Sequence, residues 1–239
     1  MAITADLLSV EIFADGADKA SILNLADNPL IKGFTTNPTL MRQAGVTNYE
    51  EFARDILSEI TDRPISFEVF SDDFDQMYVQ ARKIAAWGRN VFVKIPVTNT
   101  QGASAIPLIE SLAQDNVKMN VTALFTEAQT EAVSDALSDA PASNISIFAG
   151  RIADAGGDPL PIMRRALQIM RPWPQQKLIW ASPREVYNVV QADMIGCHII
   201  TITRDLIAKL PSLGRDLDEF SLDTVKMFRR DAVSAGYRL

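Results

Sequence analysis

The residues best suited to chemistry are one lysine and two carboxylates set in or at the ends of apolar runs. Lys94 lies in VFVKIPV (91–97), Glu68 in ISFEVF (65–70) and Asp15 at the end of VEIFAD (10–15). Burial of an amine disfavours its ammonium form and favours the neutral nucleophile. A neutral amine adds to a carbonyl carbon to give a Schiff base, and the iminium makes the neighbouring carbon–carbon bond breakable. That chemistry needs carboxylates to move protons. Asp15 and Glu68, on different strands, allow two separate transfers. The competing reading of Lys94 is a side chain that snorkels from a strand end to water.

Further polar residues recur near the ends of apolar runs: Asn37, Asn120 with Thr122, Ser146 with Arg151, and Ser182 with Arg184. Asn and Ser side chains suit substrate hydroxyls. Arg151 and Arg184 are candidates for a bidentate grip on an anionic group such as phosphate. Ser182, with Pro183, reads as the start of a helix and would add a hydroxyl and backbone N–H groups there. The single cysteine, Cys197, precludes an internal disulfide, and the single histidine, His198, follows it directly. Both read as packing residues at the entry to a buried strand. A Ser-His-Asp triad or a histidine-based zinc site would have to rely on them, so neither is expected.

The elements that must carry these residues alternate. Apolar runs at 10–15, 32–37, 65–70, 91–97, 118–124, 145–150, 177–182 and 198–203 read as strands. Helical spacing occupies 48–61, 72–87, 160–171 and 222–235, and Thr126 and Asp158–Pro159 announce helices. Eight strand–helix units in 239 residues predict a single (β/α)8 barrel over 1–239, with an additional C-terminal helix and tail at about 222–239. A doubly wound open sheet is the alternative, but no GxGxxG follows the first strand. In a barrel the site forms at the C-terminal strand ends. Seven of the eight expected strands supply a polar residue there. Glu68, Lys94 and Asn120 sit within apolar runs, where unpaired polar groups are costly, so they are expected to point inward and meet.

Composition narrows the partners. The formal net charge is -7 and no basic run occurs, which disfavours nucleic acid and anionic membranes. No apolar stretch approaches the ~18 residues of a membrane span. The start, MAITADLLSV, lacks the pattern of a secretory leader, and a cytoplasmic location is expected.

Six stretches resemble the successive strand-end motifs of the transaldolases, and of their short class that includes the fructose-6-phosphate aldolases. They are GFTTNPTL (33–40), SFEVF (66–70), VKIPVT (93–98), NVTALFTEAQ (120–129), SIFAGRIAD (146–154) and WASPRE (180–185). The resemblance runs from about Glu11 to about Asp205. It implies a (β/α)8 barrel with Lys94 as the Schiff-base nucleophile on the fourth strand, and neither metal nor cofactor, because the iminium is the electron sink. By the same resemblance, Asp15 exchanges a proton with a substrate hydroxyl during cleavage. Glu68 handles protons through a water that Thr122 helps to hold. Asn37, Asn120 and Ser146 bind hydroxyls of the dihydroxyacetone unit, and Arg151, Ser182 and Arg184 bind a sugar phosphate.

The family divides between transfer of the three-carbon unit to an aldose phosphate and its release as dihydroxyacetone. The short aldolases typically carry Gln where this chain has Glu68 and Tyr where it has Phe148, so transfer is expected here. The aldolase-type lyase, and a transaldolase acting on a modified sugar, are the alternatives. Pro183 and Trp180 in WASPRE depart from common members and are expected to alter the anion-binding corner. The resemblance also implies a homo-oligomer (dimer, pentamer or decamer). Val225, Phe228 and Val233 of the last helix would contact a neighbour; packing on the chain's own barrel is the other reading.

Overall fold

The computed structural model describes residues 4–239. Residues 1–3 of the expected domain and leader-free start lie outside the described residues. Eight parallel strands close in sequence order into a barrel, with β1 also pairing β8. They are β1 (Glu11–Asp15), β2 (Ile31–Thr35), β3 (Ile65–Glu68), β4 (Val91–Pro96), β5 (Met119–Leu124), β6 (Ser143–Ile147), β7 (Gln176–Trp180) and β8 (Ile199–Thr203). The helices are α1 (Lys19–Ala26), α2 (Pro38–Gln43), α3 (Tyr49–Glu59), α4 (Phe74–Ala85), α5 (Ile106–Gln114), α6 (Glu127–Ala136), α7 (Ala149–Asp154), α8 (Pro159–Met170), α9 (Tyr187–Met194), α10 (Arg204–Ile207) and α11 (Leu217–Ser234). The (β/α)8 expectation is met.

Alternation along each strand sends one set of side chains outward to the helices. In β4 these are Val91, Val93 and Ile95, all part of the main core cluster. The helices meet them with residues three and four apart: Ala53, Ile56 and Leu57 in α3, Met77, Ala81 and Ile84 in α4. Each fully buried Ile there contributes roughly 1.5–3 kcal/mol of transfer free energy. Side-chain caps fix the helix starts. Asp18, Asn37, Asn48, Asp73 and Asp158 each accept a backbone N–H of the first turn, and Thr126 with Gln129 forms a capping box.

Within the barrel, Phe13, Ile179, Ala181 and Ile199 form a small apolar cluster, with Phe148 against it. Phe13 fits there because position 33 is glycine. A Cβ at Gly33 would lie 2.6 Å from the Phe13 ring.

Several boundaries differ from expectation. The sixth strand runs 143–147, and Phe148–Gly150 already turn into α7, which the sequence pattern hid. The second strand ends at Thr35, so Asn37 is a helix cap and not a strand residue. Ser182 does not start a helix. It has φ +60°, and α9 begins at Tyr187. Trp180 faces away from the barrel interior, in the barrel–helix layer, so it cannot shape an anion site at the strand ends. The last helix is longer than expected and buries none of its residues against the barrel.

Candidate active site

The β3–β4–β5 register pairs Glu68 with Lys94 and Lys94 with Asn120. Paired residues on adjacent strands share a face, so the three side chains enter the barrel as one row. Above this row, at the C-terminal strand ends, lies a cavity of about 500 Å³. Asp15, Asn37, Glu68, Lys94, Thr122, Ser146, Phe148, Arg151, Ser182 and Arg184 all line it. Ten of the eleven residues singled out from sequence are thus brought together.

The exception is Asn120, which is fully buried and does not line the cavity. Its Oδ1 accepts from Ser146 Oγ at 2.7 Å and its Nδ2 donates to Ser66 Oγ at 3.0 Å. It lies among the barrel's buried polar groups, one hydrogen bond away from the cavity residue Ser146.

Lys94 is 7% exposed. Its Nζ donates to the Thr36 carbonyl at 3.3 Å and lies 3.4 Å from Glu68 Oε2. Snorkelling to water is therefore excluded by placement. Burial raises the pKa of Glu68; Lys94 opposes the shift and the Asp15 charge adds to it. Burial also raises Asp15, opposed by Lys94 and by the hydrogen bond from Thr35. Thr35 Oγ1 donates to Asp15 Oδ1 at 2.7 Å and is itself bonded to Thr201 Oγ1. A hydroxyl has one proton, so with Thr35 donating to Asp15, Thr201 donates to Thr35.

Thr35 and Thr201 line the cavity and were not singled out from the sequence. β-Branched hydroxyl residues in a strand look like strand formers. The available signal was spacing: Thr35 lies two residues before Asn37, and Thr201 two before Thr203, which also faces the cavity.

Thr122 and Ala123 line the cavity together although they are adjacent. A register irregularity in β5 and φ +63° at Ala123 break the alternation there. The buried Thr122 Oγ1 has no hydrogen-bond partner among the described residues, which leaves it available to a group in the cavity. Asn37 spends its Oδ1 on the Leu40 N–H and keeps its amide nitrogen for the cavity.

The opposite wall is cationic, and its two arginines differ. The Arg151 guanidinium lies 5.0 Å from the Phe148 ring centroid, and Phe148 packs on Phe125. Arg184 instead grips Asp154 through Nε and Nη2 and donates from Nη1 to Ser182 Oγ at 3.0 Å. Arg184 thereby holds the Asp154 carboxyl below its ordinary value. Three of the five Arg184 N–H donors are spent internally.

Cys197 and His198 precede β8, at the opposite end from the cavity. Burial pushes the Cys197 thiol up to about 12. His198 Nδ1 accepts the Leu178 N–H at 2.9 Å, and burial lowers its pKa. Among the described residues no three His, Cys, Asp or Glu side chains group as a metal site. No described helix is long and apolar enough to cross a membrane.

Comparison with known proteins agrees with this geometry. Residues 12–238 match the family model described as transaldolase/fructose-6-phosphate aldolase. A protein named probable transaldolase 2 from Listeria monocytogenes serovar 1/2a is 34% identical over 218 residues, covering 90% of this chain and 95% of its own. A probable transaldolase from Thermoplasma volcanium is 35% identical over 224 residues, covering 91% and 96%. The crystal structure of KGPDC from Streptococcus mutans superposes with a TM-score of 0.58 at 12% identity, over 82% of this chain and 88% of that one. That last likeness concerns the fold alone.

Proposed function

The chain belongs to the transaldolase/fructose-6-phosphate aldolase family, and from that premise we propose that it is a transaldolase. It moves a dihydroxyacetone unit from a ketose phosphate, such as fructose 6-phosphate or sedoheptulose 7-phosphate, to an aldose phosphate. The observation that carries this reading is the buried Lys94 amine, 3.4 Å from Glu68 and facing the same cavity as Asp15 and the two arginines.

In this reading Lys94 Nζ adds to the ketose carbonyl, and loss of water gives the iminium. Glu68, with a water held at Thr122, moves the protons of addition and dehydration. Asp15 takes the proton of the C4 hydroxyl as the C3–C4 bond breaks, and the electron pair of that bond passes into the iminium. The aldose phosphate leaves and the enamine remains on Lys94. A second aldose phosphate then accepts the three-carbon unit by the reverse steps, Asp15 returning the proton. Asn37 and Ser146 hold hydroxyls of the dihydroxyacetone unit. Arg151, with the remaining donors of Arg184 and the Ser182 hydroxyl, holds the phosphate.

Transfer is favoured over release by two residues at the cavity. Phe148 offers an apolar ring beside the enamine and no hydroxyl that could protonate it. Glu68 supplies a charge beside Lys94 where an amide would not. A coupled assay with fructose 6-phosphate, with and without erythrose 4-phosphate, tests this. The expected result is glyceraldehyde 3-phosphate only with the acceptor; equal dihydroxyacetone release without it supports the lyase.

The same reading makes the working form a homo-oligomer. Leu217 (79% exposed), Val225, Phe228 and Val233 are apolar residues of α11 that the described residues leave exposed, and a neighbouring copy would cover them. Light scattering should show the assembly collapse toward protomers when 217–239 are removed; an unchanged mass rules the contact out.

A further inference from the structure

The end of β3 is held in an unusual way. β2 and β3 pair only through Phe34–Ile65 and Thr35–Ser66, with Thr36 N–H still donating to the Ser66 carbonyl. Continuing this parallel ladder would take the Glu68 N–H to the Thr36 carbonyl and the Glu68 carbonyl to the N–H of residue 38. Neither bond is made. Residue 38 is proline, which has no N–H, and the Thr36 carbonyl receives Lys94 Nζ instead.

One side chain replaces both missing bonds. The Tyr49 hydroxyl, from the first turn of α3, donates to the Glu68 carbonyl at 2.7 Å and accepts the Glu68 N–H at 2.8 Å. Burial pushes the phenol above its ordinary value, so it stays a donor through the physiological range. Its ring is wedged between aromatics: centroids lie 5.4 Å from Phe70, 6.0 Å from Trp87 and 6.5 Å from Phe67. The hydroxyl therefore has little freedom to follow Glu68; Glu68 must follow it.

We infer that Tyr49 is a positioning residue: by holding both backbone groups of Glu68, it fixes the Glu68 carboxylate against the Lys94 amine. Without the hydroxyl, the Glu68 N–H is free to recover the Thr36 carbonyl. That draws the strand end toward β2 and takes from Lys94 both its carboxylate and its backbone acceptor. This inference rests on the transaldolase reading, since it assigns Tyr49 a part in the same reaction.

The test is a double-mutant cycle of Tyr49→Phe and Glu68→Gln, read as kcat and KM for fructose 6-phosphate with erythrose 4-phosphate as acceptor. Phenylalanine keeps the ring stack. Borohydride-trapped Lys94 counts the competent sites, so kcat is normalised even where less of a variant folds. Tyr49→Phe should lower kcat by about ten- to a hundred-fold, the scale of a sub-ångström to 1 Å misplacement, with KM nearly unchanged. In the Glu68→Gln background the same change should cost little. Equal loss in both backgrounds, or full kcat in Tyr49→Phe, overturns the inference while wild-type turnover keeps the functional reading. Absence of wild-type turnover and of any adduct overturns both.

Discussion

Lys94 Nζ lies 3.4 Å from Glu68 Oε2 on the adjacent strand, and the same amine acts on the Asp15 carboxyl of β1. One buried amine thus faces two carboxyls that burial keeps above their ordinary values. The charge balance favours proton transfer at some cost to stability.

That cost has a sign. A carboxyl raised in the native state binds more protons there than in the unfolded chain. Stability then falls as pH rises from the ordinary value, 3.8 for Asp15, through the raised one, and stays lower above it. Asp15→Asn removes the burden while its Oδ1 can still accept from Thr35. Its thermal unfolding midpoint should exceed the wild type's at neutral pH, and the gap should close below 3.8. Turnover should fall by about 10²–10⁴ for loss of the proton acceptor. A variant that melts below the wild type at neutral pH contradicts this.

Gly150 ties the sixth strand's motif to the seventh's. A Cβ there would sit 1.6 Å from the Ser182 carbonyl oxygen, and Ser182 already occupies the left-handed region at φ +60°. Gly150→Ala must displace the Ser182 backbone, and with it the hydroxyl that Arg184 grips. The expected outcome is a loss of about 1–3 kcal/mol of stability, typical of overpacking. KM for fructose 6-phosphate should also rise more than KM for unphosphorylated dihydroxyacetone donors. Equal KM changes for both would separate Gly150 from the anion wall.

The two arginines should not be equivalent. Arg151 has no carboxylate partner within ion-pair distance among the described residues, whereas Arg184 is committed to Asp154 and Ser182. Arg151→Ala should raise KM for the sugar phosphate about tenfold or more, equal to ~1.4 kcal/mol or above. Arg184→Ala should cost less in KM. Steady-state kinetics of the two variants decide it, and a larger effect at Arg184 would reverse the assignment.

Much of this site could be read from residue order. A lysine, a glutamate and an asparagine interrupting three separate apolar runs are costly unless they meet, and the barrel register makes them neighbours. The reading failed where three-dimensional context decides. The bonds of Asn120 to Ser66 and Ser146 depend on which strands the barrel sets side by side, and residue order does not show them. Trp180 is adjacent in sequence to a cavity residue, Ala181, yet alternation sends it to the other face. The ends of β2 and β6 were drawn too long because Asn37 and Phe148 belong to helix starts. Tyr49 left no mark in sequence. At the first turn of an amphipathic helix it looks like any apolar residue, and only the gap between β2 and β3 gives its hydroxyl a task.

The central claim is that Lys94 forms a covalent imine with a ketose, and borohydride trapping tests it most directly. Incubation with fructose 6-phosphate and borohydride, followed by peptide mass mapping, should place one reduced three-carbon or hexose phosphate adduct on Lys94. Lys94→Ala should carry none and lose turnover. An unlabelled Lys94 in a chain that still turns over, or full activity in Lys94→Ala, would contradict the account.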